Sequence, residues 1–382
     1  MDDIDDPKLR YLERLRQMGP LPAPREVFDA WRSPREGTEN PTRMDNPVWA
    51  WLVRNRLQAY DIVQAYGASS ALDHGPTWCF ERFGQSETLL PDGRRLYIGG
   101  EHEDHYDPDF HIYNDVVAVM PDGEVAIHGY PRAVFPPTDF HTASLVGTDV
   151  YIVGRLGYPE DRRERIASVH VLDTNRYRIR ELPTTGDAPP WLHDHEAVVD
   201  SDGTRIHIQG GKVIQEQVPV AIANLDRWEL RLPDGVWTRT LRSTWPRWCV
   251  TRAVPGNNAL WFIRRMLWRR SVRWLEDEQR DRARLEDWLG PGADPERITS
   301  LYVPPLPHQA VPPRDDDEGA YNTTRIEVDG VLVRYDEDSG GVMVTIEGDL
   351  PQRVQQVLVD DLRTKLEAVE GHGYRVLPVH VD

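Results

Sequence analysis

Acids and histidines crowd one short stretch of the chain, Gly99 to Asp115, "GGEHEDHYDPDFHIYND". Within it Glu103, Asp107 and His111 follow one another with three residues between each. Two carboxylates and one imidazole suit a hard or borderline divalent cation such as Fe(II) or Mn(II), and leave coordination positions open for a substrate. The same residues are equally at home in a solvated surface loop, where Asp107-Pro108 would start a turn. Nine of the thirteen histidines lie between His102 and His207, so imidazole chemistry is concentrated in one part of the chain. A second set of polar residues is spaced by a longer rule. Gln85, His141 and His195 stand 14, 13 and 15 residues before Gly99, Gly154 and Gly210. His193 is one alternation from His195, while Glu101 and His102 directly follow the diglycine. These six, Gln85, Glu101, His102, His141, His193 and His195, are the candidate lining of a polar mouth or channel. Buried structural hydrogen bonds are the plainer role for the same histidines.

The elements that must hold these residues are strands. From about Phe80 the pattern alternates with a period of two. Three stretches look alike: "RFGQSETLLPDGRRLYIGG", "DFHTASLVGTDVYIVGR" and "HDHEAVVDSDGTRIHIQGG". Each reads as a strand, a tight turn and a second strand closing on glycine. The closing glycines Gly99, Gly154 and Gly210 recur after 55 and 56 residues. A second hairpin follows in each unit, as in "DVVAVMPDGEVAIHGY". Four antiparallel strands repeated at this period is the sequence form of a propeller blade.

At these residues the chain resembles kelch-type β-propellers. The resemblance rests on Gly99-Gly100 and Gly210-Gly211, on Leu172-Asp173-Thr174 with Tyr177, and on Trp237, and covers roughly residues 80 to 242. The middle unit departs from it, with Gly154-Arg155. Residues 99–115 are also similar to the iron site of plant kelch specifier proteins, in which a diglycine is followed by Glu, Asp-Pro and His at the same gaps. That likeness implies Glu103, Asp107 and His111 as ligands. In that family the glutamate directly follows the diglycine, a place held here by Glu101.

The remaining segments frame this repeat. Residues 1–75 read as a helical N-terminal segment with Pro-rich breaks, residues 20 to 45 being irregular. Asn46-Pro47 starts a helix that stops at Gly67. Residues 76–300 are the expected kelch-like propeller of about four to six blades, with an inserted helix near 264–290 and further blades sought in residues 247–266 and between 298 and 348. Residues 301–382 read as an α+β C-terminal unit, β-β-α-β, whose helix carries Val354, Leu358, Leu362 and Leu366 on one stripe. The fold class expected is therefore mainly β.

Composition narrows the function. The chain has 382 residues and a net charge of −18, which speaks against nucleic acid and membrane surfaces as partners. Two cysteines make no disulfide framework, and the acidic N-terminus has no apolar signal core, so a cytoplasmic setting is expected. No nucleophile elbow, phosphate loop or dinucleotide fingerprint is present. The first functional expectation is a protein-binding module acting through face loops. The alternative is a metal-dependent lyase or oxygenase at the propeller mouth. A third is carbohydrate binding with Trp191, Tyr106 and Tyr158 as stacking platforms.

Overall fold

The computed structural model describes residues 20–69, 74–104, 107–162, 166–215, 218–232, 234–256, 286–287, 298, 300–312 and 323–379, with the backbone alone at 104 and 107–109. The expected inserted helix near 264–290 lies almost wholly outside the described residues. The chain divides into two compact units. One is Met1–Val213 with Ala223–Arg242; the other is Ile214–Ile222 with Ser243–Asp382.

The first unit opens with α1 (Arg25–Trp31), β1 (Thr42–Arg43), α2 (Pro47–Asn55) and α3 (Ala59–Ala65). Two features correct the sequence reading. The segment 20–45 carries a helix and a strand, and the long helix expected up to Gly67 is two helices. The break has a local cause. Arg56 caps α2 in the left-handed region, and Gln58 with Asp61 forms a capping box that restarts the chain as α3. At the front of α2, Asn46 accepts from the Trp49 amide at 2.8 Å and Pro47 fills the first turn. Trp49 stacks on Trp78 with ring centroids 4.8 Å apart, and Phe28, Leu52 and Ile62 complete a core shared with Tyr97, Val117 and Ile127.

The alternating stretches form three separate sheets. The first contains β2 (Ser86–Leu89), β3 (Arg95–Ile98), β6 (Asp115–Val119) and β7 (Val125–Gly129), with β1 added on the β7 edge. Between β3 and β6 stands a two-stranded ribbon, β4 (Glu101–Asp104) and β5 (Asp107–Ile112). The second sheet is β8 (Thr142–Val146), β9 (Asp149–Val153), β10 (Val169–Asp173) and β11 (Arg178–Glu181). After β12 (Thr185–Gly186) and β13 (Trp191–His193) comes the third. It holds β14 (Glu196–Val199), β15 (Arg205–Gln209), β18 (Arg227–Arg231) and β19 (Val236–Leu241), with β12 parallel to β19. The short strands β16 (Lys212–Ile214) and β17 (Ile222–Ala223) lie between β15 and β18 in sequence. Gly99, Gly154 and Gly210 each follow the second strand of a sheet, all with positive φ. The first strands are neighbours, β8 running beside both β2 and β14.

The second unit is one six-stranded sheet with a helix across it. The sheet runs β21 (Gln309–Val311), β22 (Thr323–Val328), β23 (Val331–Asp338), β24 (Gly341–Ile346), β20 (Arg247–Arg252) and β25 (Tyr374–Pro378). Helix α4 (Gln352–Glu370) lays Leu358, Val359, Leu362 and Leu366 on Val333, Tyr335, Val342 and Ile346, and ends at left-handed Gly371. The sequence stretches considered for further blades therefore pair with one another and with the C-terminal strand. "TRIEVDGVLVRYD", expected as one strand, is the hairpin β22–β23, because Asp329 and Gly330 both take positive φ.

Among the described residues, the architecture is mainly β, with antiparallel sheets and four α-helices. No described helix is long and apolar enough to cross a membrane.

Candidate functional site

The connectors between the three sheets share a repeated corner. Gly84, Phe140 and Asp194 each stand two residues before a first strand, and all three have positive φ, 61°, 49° and 56°. They are linked in series. The Phe140 amide donates to the Gly84 carbonyl, and the Asp194 amide to the Phe140 carbonyl, both at 2.9 Å. Phe140 and Asp194 thus hold a conformation that costs a non-glycine residue of order 1 kcal/mol, and the cross-sheet bonds offset it.

The residue before each corner and the residue after it have different jobs. After the corner come Gln85, His141 and His195. His141 Nε2 meets Ser86 Oγ at 2.8 Å, and His195 Nε2 meets Thr142 Oγ1 at 2.8 Å. Each histidine therefore bonds to the first strand of the preceding sheet. Both are buried, and burial, the largest cause, pushes His141 down to about 3 and His195 to about 4. Gln85 instead donates to the Gly99 carbonyl in its own repeat, at 3.4 Å.

Before the corner come Phe83, Asp139 and His193, and the serial bonds bring these three side by side. Phe83 is 65% exposed. Asp139 is fully buried; its Oδ1 accepts the Gly157 amide at 2.7 Å, while Oδ2 has no partner among the described residues. His193 is 3% exposed; its Nδ1 faces Asp194 Oδ2 at 3.2 Å, and Nε2 has no partner among the described residues. Burial raises the Asp139 carboxyl against the opposing pull of the Gly157 amide, His193 and Arg162.

Glu101 joins this group from the first sheet. Gly99 and Gly100 turn the chain sharply, and the Gly100 amide donates to the Thr138 carbonyl, next to Asp139, at 2.8 Å. The turn is anchored from beneath. Arg82, buried and ion-paired with Asp115, also donates to the Gly99 carbonyl at 2.9 Å. Glu101 and Phe83 exchange both backbone hydrogen bonds at 2.8 Å, which places their side chains on one face. Glu101 is pushed up to about 7, first by burial and then by the charges of Asp139, Glu103 and Asp194. The far wall comes from the loop after β9. There Tyr158 accepts the Ile112 amide at 2.9 Å through its hydroxyl, and its ring meets Phe110 edge-on at 5.8 Å. Arg162 donates to the carbonyls of Leu156 and Gly157.

The stretch 99–115 is a paired ribbon where a surface loop was expected. His102 stands opposite His111, and both lie against Tyr113, the first through a 2.8 Å bond from its Nδ1 to the phenol, the second with ring centroids 4.7 Å apart. Glu103 acts on Glu101. The Asp107 side chain lies outside the described residues. Among the described residues no three His, Cys, Asp or Glu side chains are gathered as a metal would require. Trp191 is 3% exposed, gives its indole N–H to the Leu156 carbonyl and carries Arg155 over its ring at 4.8 Å, so it packs where a stacking platform was expected. Tyr106 lies outside the described residues.

Sequence reading singled out Glu101 and His193 and missed Asp139, Asp194 and Phe83. The signal was available: Phe83, Asp139 and His193 each stand two residues before Gln85, His141 and His195 in the repeat.

No family model matches the chain, and no curated protein matches it. Among solved structures it is similar to one described as "Structure of YjhT", at 13% identity and a TM-score of 0.28. The alignment covers 47% of this chain and 61% of the other, so the match spans about three-fifths of that protein, and the likeness is too slight to speak for fold or function.

Proposed function

We propose that the first unit is a kelch-like propeller that works as a binding module, and that the corner built by Phe83, Glu101, Asp139 and His193 is its binding face. One observation carries the reading. Asp139 Oδ2 and His193 Nε2 are both buried and, among the described residues, both without a partner, at equivalent places in adjacent repeats. A buried polar atom left unpaired costs about 1–3 kcal/mol, and such atoms are expected where a ligand completes them. The surrounding carboxyls and the exposed Phe83 suit a small molecule with polar groups at one end and an apolar surface at the other.

The test is a thermal-shift and calorimetry screen of the full chain against small molecules grouped as cations, neutral polyols and anions. Members of at least one group are expected to raise Tm, and Asp139→Asn is expected to abolish that rise. A flat response to every group would overturn the reading.

A further inference from the structure

Resting on that reading, we propose that the ligand is a small organic cation, an amine or quaternary ammonium, held between the carboxyls of Glu101 and Asp139 and the exposed ring of Phe83.

Three observations lead there. The first is the sign of the free groups. Glu101 is faced by Asp139, Glu103 and Asp194, three further acids. Among the described residues, the cations act on the other acids: Arg82 pairs with Asp115, Arg162 and His193 act on Asp139, and Lys212 acts on Asp194, while Glu101 is faced by acids. The second is the fully buried Asp139 oxygen that has no partner among the described residues. A protonated amine supplies the N–H that oxygen lacks and a quaternary ammonium the opposite charge, whereas an anion would place like charges together. The third is the aromatic rim. Phe83 is 65% exposed and on the Glu101 face, and Phe110, 43% exposed, stands edge-on to Tyr158. A cation over a ring face gains about 0.5–2 kcal/mol, which polar neutral ligands do not. Tyr158 already accepts such a contact from Arg132, 5.3 Å from its ring centroid.

Cation binding also sets a proton balance. Glu101 sits near 7 because burial and its acidic neighbours disfavour its charge. On Asp139 the same burial is opposed by His193 and Arg162. On Asp194 the partners are His193, Lys212 and His195. A bound cation favours ionised Glu101 and releases its proton to solvent. A ligand that needs ionised Glu101 therefore binds in proportion to the ionised fraction, about tenfold more tightly at pH 8 than at pH 6.

The experiment is calorimetric titration of the full chain with tetramethylammonium and n-butylammonium chlorides, beside n-butanol and sodium butyrate. Both ammonium ions are expected to bind, with butanol and butyrate at least tenfold weaker. Phe83→Leu and Asp139→Asn should each weaken the ammonium ions at least tenfold. Glu101→Gln, at a half-buried position that tolerates the change, should remove the pH dependence and the proton release seen on comparing MOPS with phosphate at pH 7. Equal or tighter binding of butanol or butyrate would overturn the cation assignment and leave the binding face standing. If no ammonium ion binds but a polyol or anion from the broader screen does, the assignment fails in the same way. If nothing binds in either experiment, both fail.

Discussion

The histidines one residue past two of the three corners show how a side chain that looks catalytic can be structural. His141 and His195 each bond a hydroxyl on the neighbouring sheet, and both stay neutral because burial disfavours the imidazolium. Their folded values lie below the ordinary 6.5. The unfolded chain therefore takes up protons first as pH falls, and stability is lost from about 6.5 downward. At pH 5 each contributes a loss of about 2 kcal/mol. Urea midpoints should fall from pH 7 to pH 5. His195→Ala should cost about 2 kcal/mol at pH 7 by leaving Thr142 without its partner. The gap between variant and parent should then shrink at pH 5, because the variant no longer has that proton to take up. A constant gap would mean that His195 is charged in the folded protein. Glu101 works in the opposite sense. Its folded value is raised, so its contribution is full below about 4.5 and is lost as pH rises through about 7. Glu101→Gln removes this opposing slope, so the urea midpoint should fall more steeply from pH 7 to pH 5 in the variant than in the parent.

Glycines at the ends of second strands, the strongest element-scale signal in the sequence, mark turning at all three places and close backbone approach at Gly99 and Gly154, whereas Gly210 stands in open space. A Cβ on Gly154 would stand 2.4 Å from the Leu192 carbonyl oxygen, and one on Gly99 2.1 Å from that of Thr138. Gly147, in the β8–β9 turn, also has positive φ but open space around it. Gly147→Ala should cost about 1 kcal/mol, the left-handed penalty alone. Gly154→Ala should cost about 3 kcal/mol or more, since backbone must move as well, and chemical denaturation of both variants decides it. The period of these glycines made the three sheets legible. What was not legible is pairing between elements far apart in sequence. The pattern of Arg247–Arg252 identifies a strand, but its partners are Gly341–Ile346 and Tyr374–Pro378, and alternation alone cannot choose between sheets. The ribbon at 101–112 was hidden because acids and histidines hide the alternation that apolar residues would display. The site was half legible for a related reason. Glu101 and His193 stand out by type, whereas Asp139 and Phe83 stand out only once the repeat register is counted back from His141 and Gln85.

For the whole molecule the governing quantity is a net charge of −18. So large an excess of one sign repels itself in the compact state more than in the expanded one, and screening relieves it. Raising sodium chloride from 10 to 150 mM shortens the screening length from about 30 to 8 Å, well under the span of either unit. Tm should rise by a few degrees over that range, with potassium chloride giving the same result, because the effect depends on ionic strength and not on ion identity. The same field should keep the chain off nucleic acid, whose affinity for proteins rests on counterion release by Lys and Arg. Titration with duplex DNA at 50 mM salt should give no binding. The field acts in the other direction on small cations, drawing them toward an acidic protein. Ammonium probes should therefore bind more weakly as salt rises, while Phe83→Leu should weaken them by a similar factor at every salt concentration, since contact with the ring is short-ranged and hardly screened. A salt-independent affinity that still responds to Phe83→Leu would mean that the ring alone holds the ligand, and that the carboxyls of Glu101 and Asp139 serve the protein's own structure.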